Sequence, residues 1–140
     1  MFKKALLSLL FCSACLVHAE TPAKYSDVQK EMHQLVKNSQ RTDLKIVDIG
    51  PSDSGERIEG IQIGSGQTQT LVVATHHGNE YGSTRVAMAL YQNFAQNPIA
   101  DQTITVIPVL NIGGYNKRSR YEVTSQGKLH DPNRDYPSPC

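Results

Sequence analysis

Apolar residues first gather in a stretch from Ala5 to Val17 broken only by Ser8 and Ser13, preceded by Lys3 and Lys4 and closed by Val17-His18-Ala19. A basic head, an apolar centre and a small-residue end predict a secretory signal peptide over residues 1–19, removed after Ala19. The run is shorter than the roughly 20 apolar residues a membrane span needs. It stops at His18 and Glu20, so no stable membrane span is expected in the mature chain. Cys12-Ser13-Ala14-Cys15 offers lipidation as the alternative, without the aliphatic residue usual three positions before the modified cysteine.

Beyond the signal, Val28, Met32, Leu35 and Val36 fall on one helical face, and Ser26 with Gln29 has the form of a capping box, which predicts a helix over Ser26 to Asn38. Leu44, Ile46 and Ile49 open a strand, Gly50 to Gly55 is dense in turn formers, and Ile58, Ile61 and Ile63 follow in a second extended piece. Together they predict an antiparallel hairpin. Leu71 to Thr75 is a continuous apolar and β-branched run, the pattern of a central strand covered on both faces. Val86, Ala87, Leu90, Tyr91 and Phe94 recur at helical spacing before Pro98, and Thr103 to Leu110 reads as another buried strand. Strand, helix and strand within about forty residues form a βαβ unit with parallel strands. After Leu110 the periodicity ends, and the last thirty residues read as a polar loop. The fold class is therefore α/β, a mixed and mostly parallel sheet covered by helices, within one domain over residues 20–140.

Composition narrows the possibilities only a little. The 140 residues, 39 % hydrophobic and 19 % charged, suffice for one ordinary globular core. Signal removal takes two lysines and no acid, turning a formal charge of +1 into −1, so nucleic acid is not an expected partner. It also takes Cys12 and Cys15 and leaves Cys140 as a lone thiol, either a free terminal one or one whose disulfide partner lies beyond the sequence.

Candidate chemistry sits in two places. His77-Gly78-Asn79-Glu80 follows the Leu71 run, so an imidazole and a carboxylate emerge together at the carboxyl end of a strand, where a turn at Gly78 lets both reach one ion. The neighbouring His76 is read as structural. A surface His and Glu need no metal, and alone the pair is a weak signal. The second place runs from Asn111-Ile112-Gly113-Gly114 through Lys117-Arg118-Ser119-Arg120-Tyr121 to Asp131-Pro132-Asn133-Arg134-Asp135-Tyr136-Pro137. A basic loop is usually just solvated, but an arginine beside an asparagine can clamp a carboxylate and a second arginine can stabilise an oxyanion.

Taken in order, these segments resemble the amino-terminal half of a zinc metallocarboxypeptidase of the carboxypeptidase A/B superfamily, which includes the aspartoacylase and succinylglutamate desuccinylase branch. The resemblance covers essentially all of the mature chain. It makes His77 and Glu80 zinc ligands, and it aligns Asn111 to Gly114 loosely with an N-P-D-G corner. Arg120 becomes the carbonyl-polarising arginine, with Arg118 as the rival. Asp131 to Pro137 aligns with a D-L-N-R-N-F-P-like segment, in which Asn133 and Arg134 hold the substrate's terminal carboxylate. Ser54-Gly55-Glu56-Arg57 resembles the S-x-G-R hairpin signature, one residue out. Pro132 stands in place of an aliphatic residue, Asp135 in place of Asn, and Asn79 where peptidases of the group often carry arginine.

The resemblance implies Zn2+ as cofactor and, as substrate, a peptide or acyl-amino acid with a free carboxylate. The expected activity is exported carboxypeptidase hydrolysis of C-terminal peptide bonds, in the secreted or periplasmic space. The alternatives are hydrolysis of N-acyl amino acids and a non-catalytic carboxylate-binding relic. Family members take a third ligand, a histidine, and a glutamate base from sequence well downstream of the Asn-Arg pair. His18, His33, His76 and His130 do not occupy that place, so the 140-residue chain alone is expected to be an inactive fragment.

Overall fold

The hairpin forms because apolar residues alternate with polar ones on both of its arms, so that one face of each strand can be buried. The computed structural model describes residues 24–134 and 136; the signal segment, Asp135 and the stretch carrying Pro137 and Cys140 lie outside it. Strand β1 (Leu44–Pro51) runs antiparallel to β2 (Arg57–Ile63), pairing Leu44 with Ile63 and Ile46 with Ile61. The register shifts between Asp48 and Gly50. That bulge leaves Ile49 without a partner position and 46 % exposed.

Two further strands complete the sheet. β3 (Thr68–Val73) leads through helix α2 (Tyr81–Gln96) into β4 (Gln102–Ile107), and β3 and β4 pair in parallel, as the βαβ reading requires. β4 also pairs antiparallel with β2, which gives the order β1-β2-β4-β3. The class is α/β with a mixed sheet; among the described residues one pairing is parallel and two are antiparallel.

Where the sequence predicted a central, doubly covered β3, among the described residues this strand is an outer one and β2 and β4 occupy the middle. The register shows why an apolar run misleads here. Val72 shares a face with Val106, Ile61 and Ile46, whereas Leu71 stands on the opposite face in a row with Thr105, Gln62 and Lys45, and is 63 % exposed. Continuous apolarity in a short strand does not say how many neighbours it has.

Helix α1 (Tyr25–Asn38) and α2 supply Val28, Met32, Ala87, Met88 and Tyr91 to the same core as Leu44, Ile61, Ile63, Ile104 and Val106. The Gln92 amide donates to Glu31 at 2.8 Å, tying the two helices together. The cap of α1 lies earlier than Ser26: the backbone N–H of Lys24 donates to Asp27 at 2.9 Å, because Asp27 occupies the third helical position from which a carboxylate reaches back. Tyr25 anchors the helix to the sheet, its hydroxyl donating to the Arg57 carbonyl and accepting from the Glu59 N–H, while burial pushes the phenol up to about 12.

The segment after Leu110 is not one irregular loop. It contains α3 (Ile112–Lys117), a small hairpin of β5 (Glu122–Val123) with β6 (Leu129–His130), and a 3-10 turn over Pro132–Arg134. Elements this short carry no periodic signal. They are held by specific bonds instead, which makes them the scaffold of the site.

Candidate functional site

Immediately past β3 the chain leaves the sheet at Thr75, which takes a left-handed backbone, φ 59°, while almost fully buried. A β-branched residue is disfavoured there by on the order of 1–3 kcal/mol, and three bonds hold it. Its N–H donates to Ser83 Oγ at 3.1 Å, its hydroxyl donates to the Pro108 carbonyl at 2.8 Å, and the same hydroxyl meets Thr84 Oγ1 at 2.6 Å. The first turn of α2 therefore fixes the direction in which the His76-to-Glu80 turn emerges. Ser83 fixes the other end too, its hydroxyl donating to the Glu80 carbonyl at 2.8 Å.

This turn presses against α3. A Cβ on Gly78 would fall 2.1 Å from the carbonyl carbon of Gly114, so only glycine fits. The Gly78 N–H donates to the Arg120 carbonyl at 3.3 Å. Asn111 caps α3, its Oδ1 accepting from Gly114 N–H at 2.7 Å, and its Nδ2 donates to both the His76 and Arg120 carbonyls.

The geometry brings His77, Glu80 and Arg120 together around a residue the sequence analysis had not singled out. His77 is 7 % exposed, with Nδ1 2.8 Å from Glu80 Oε1 and Nε2 3.2 Å from Asp131 Oδ1. Asp131 Oδ2 in turn accepts from Arg120 at 3.4 Å. Burial alone would raise the Asp131 carboxyl, but the Asn133 N–H, the His77 ring and the Arg120 guanidinium outweigh it and hold the group below its ordinary value. Asp131 opens the D-x-N-R segment, which was the available signal for it.

The other residues lie further out. Asn133 and Arg134 sit on the 3-10 turn beside Asp131 and are exposed; the Arg134 guanidinium donates to the Asn133 carbonyl at 3.0 Å. Arg118 is exposed and ends α3 in a left-handed conformation, while Arg120 is the arginine that reaches Asp131. His76 is half-buried and its ring meets the Tyr136 hydroxyl. Behind the Asn111 corner, buried Glu122 accepts from the Gly113 N–H at 3.1 Å, and His130 pairs with Asp53 at 3.1 Å.

Among the described residues no group of three or more His, Cys, Asp or Glu is arranged to hold a metal ion. The reason lies in the His77 ring: Glu80 and Asp131 face its two different nitrogens, so they do not converge on one point with it. What remains is a pair, Nδ1 of His77 and the Glu80 carboxylate, backed by a carboxylate on Nε2. A borderline-soft divalent ion takes such nitrogen and oxygen donors, and a carboxylate on the far nitrogen is the usual support of a ligating histidine. The donor set fits zinc as part of a site.

The candidate site is thus a histidine and a glutamate turned out of a strand end of an α/β sheet, backed by an aspartate and an arginine. The chain belongs to the zinc carboxypeptidase family, which matches residues 29–139. Solved structures agree on the fold. Thrombin-activatable fibrinolysis inhibitor superposes with a TM-score of 0.70 at 13 % identity, over 83 % of this chain and 36 % of that one. Its bovine form, in complex with tick carboxypeptidase inhibitor, gives 0.65 at 10 % identity over 74 % and 38 %. Carboxypeptidase A from Helicoverpa armigera gives 0.63 at 16 % identity over 71 % and 28 %. The chain thus spans about a third of the length of these structures. No curated protein sequence matches it significantly. No helix of the described residues is long and apolar enough to cross a membrane.

Proposed function

We propose that the chain contributes two zinc ligands, His77 and Glu80, a carbonyl-polarising Arg120, and a carboxylate anchor, Asn133 with Arg134, to an exported metallocarboxypeptidase acting on C-terminal peptide bonds. The observation that carries this reading is the continuous series Glu80, His77, Asp131 and Arg120, each within hydrogen-bonding distance of the next. It joins the ligand pair to the arginine through one carboxylate.

Each residue has a defined task. Asp131 holds the His77 ring in the tautomer that leaves Nδ1 free of a proton, so that the nitrogen and the Glu80 carboxylate can act as donors to a metal. Zinc bound there supplies an acidified water and a polarised carbonyl. Arg120, about two-fifths exposed, keeps its guanidinium open on the solvent side while one nitrogen rests on Asp131. That placement suits stabilisation of charge developing on a substrate oxygen. Asn133 and Arg134, exposed on the adjoining turn, present amide and guanidinium donors to a terminal carboxylate, for which the planar arginine fork is well matched.

A protein of carboxypeptidase length carrying this sequence tests the reading: it should release C-terminal residues from peptides in a chelator-sensitive way. Cleavage of N-acyl amino acids alone would replace it with the acylase alternative. For export, the intact mass of secreted or periplasmic protein should begin at Glu20, and a mass retaining Lys3 and Lys4 would overturn that part.

A further inference from the structure

Asn111 lies beneath the site, touching neither metal ligand side chain, yet it is 1 % exposed and uses three polar positions. Its oxygen accepts from the Gly114 N–H at 2.7 Å, and its nitrogen donates to the carbonyl of His76 at 3.0 Å and to that of Arg120 at 3.1 Å. The orientation of the amide is fixed by these partners: one donor and two acceptors surround it, and the flipped amide would mismatch all three.

The two carbonyls belong to different segments. The His76 carbonyl forms the peptide bond that leads into His77, and the Arg120 carbonyl belongs to the residue placed against Asp131. Between those segments run few direct bonds, namely Gly78 N–H to the Arg120 carbonyl at 3.3 Å and the side-chain series through Asp131. A rigid planar amide anchored in a helix cap sets the spacing of the two carbonyls to the separation of its own two hydrogens. Flexible groups do not impose such a distance.

We propose that Asn111 is a positioning residue of the site, locking the His77-to-Glu80 turn and the Arg120 segment at a fixed separation. The proposal deepens the zinc carboxypeptidase reading, on which its functional consequence rests. Capping alone explains only the bond to Gly114, and aspartate or serine would cap equally well. The two donated bonds are what asparagine adds. In Asn111→Asp a carboxylate oxygen would face two carbonyl oxygens, and in Asn111→Ser nothing would reach them.

Amide exchange and zinc titration of the 140-residue chain separate these roles. Both variants should keep the Gly114 amide protected, while exchange at the Gly78 amide rises on the order of tenfold as the Arg120 carbonyl loosens. Zinc ion alone should bind both variants about 10- to 100-fold more weakly than the parent. In the unmodified chain, the Asn111 side-chain nitrogen should show through-hydrogen-bond scalar couplings to the carbonyl carbons of His76 and Arg120. That measurement decides the matter if a variant fails to fold. Missing couplings, or unchanged Gly78 exchange in folded variants, would leave Asn111 a mere cap and overturn the proposal. A 140-residue parent that binds no zinc while both couplings are present would leave the positioning role standing, and the metal reading is then decided by zinc titration of a protein of carboxypeptidase length.

Discussion

Asp131 stands on the opposite side of the His77 ring from Glu80, with one carboxylate oxygen 3.2 Å from Nε2 while Glu80 lies 2.8 Å from Nδ1. The imidazole thus faces a carboxylate at each ring nitrogen. Isothermal titration with zinc should show His77→Ala and Glu80→Ala without measurable binding. Asp131→Asn keeps the shape and loses the charge, and should bind about 10- to 100-fold more weakly. Stoichiometric zinc in both alanine variants would end the metal assignment.

Arg120 and Arg134 should separate kinetically in a carboxypeptidase-length protein that carries them. Arg134→Ala is expected chiefly to raise KM, since it anchors the substrate in ground and transition state alike. Arg120→Ala is expected to lower kcat by roughly 10²-fold or more, as loss of an oxyanion donor does. Small and equal effects from both would mean that the basic segment is only solvated.

The 140-residue chain by itself should show no hydrolysis of peptides or N-acyl amino acids above background with added zinc. Two protein ligands fall short of the three that a catalytic zinc takes, and among the described residues no third one converges with them. Chelator-sensitive turnover by this chain would refute the argument.

How far the molecule could be read from its sequence depends on the length of each element. The hairpin from Leu44 to Ile63 and the helix carrying Val86 to Phe94 were legible because several turns or alternations repeat the same signal. The one-residue bulge that leaves Ile49 exposed has no mark in the sequence pattern, and an apolar run such as β3 is silent about its neighbours. The contact of His77 with Glu80 was legible as a spacing, but its support was not. Asp131 is 54 positions from His77, Asn111 reaches it only through a backbone carbonyl, and the left-handed turn at Thr75 leaves no mark in composition. Contacts of that kind exist only once the sheet has formed.

Glu122 supplies a pH test. Burial raises its carboxyl above the ordinary 4.5, against the lowering effect of the Gly113 and Val123 N–H groups. A raised folded value means that its stabilising share is complete below about 4.5 and is lost as pH rises through that raised value. Glu122→Gln keeps an oxygen for the Gly113 N–H and carries no charge. Thermal melts should show the variant gaining on the parent at pH 7 relative to pH 4. An identical difference at both values would mean that the carboxylate bears no burial cost.

The edge strand β3 has a consequence outside catalysis. Its six residues, Thr68 to Val73, contain neither charge nor proline, and Leu71 projects from the sheet. Natural edges are commonly guarded by lysine, proline or a bulge, because an open row of backbone donors and acceptors recruits strands from other molecules. Among the described residues this edge has no such guard, so a preparation of the 140-residue chain by itself should associate as its concentration rises. A lysine at position 71 supplies the guard at a solvent-facing position.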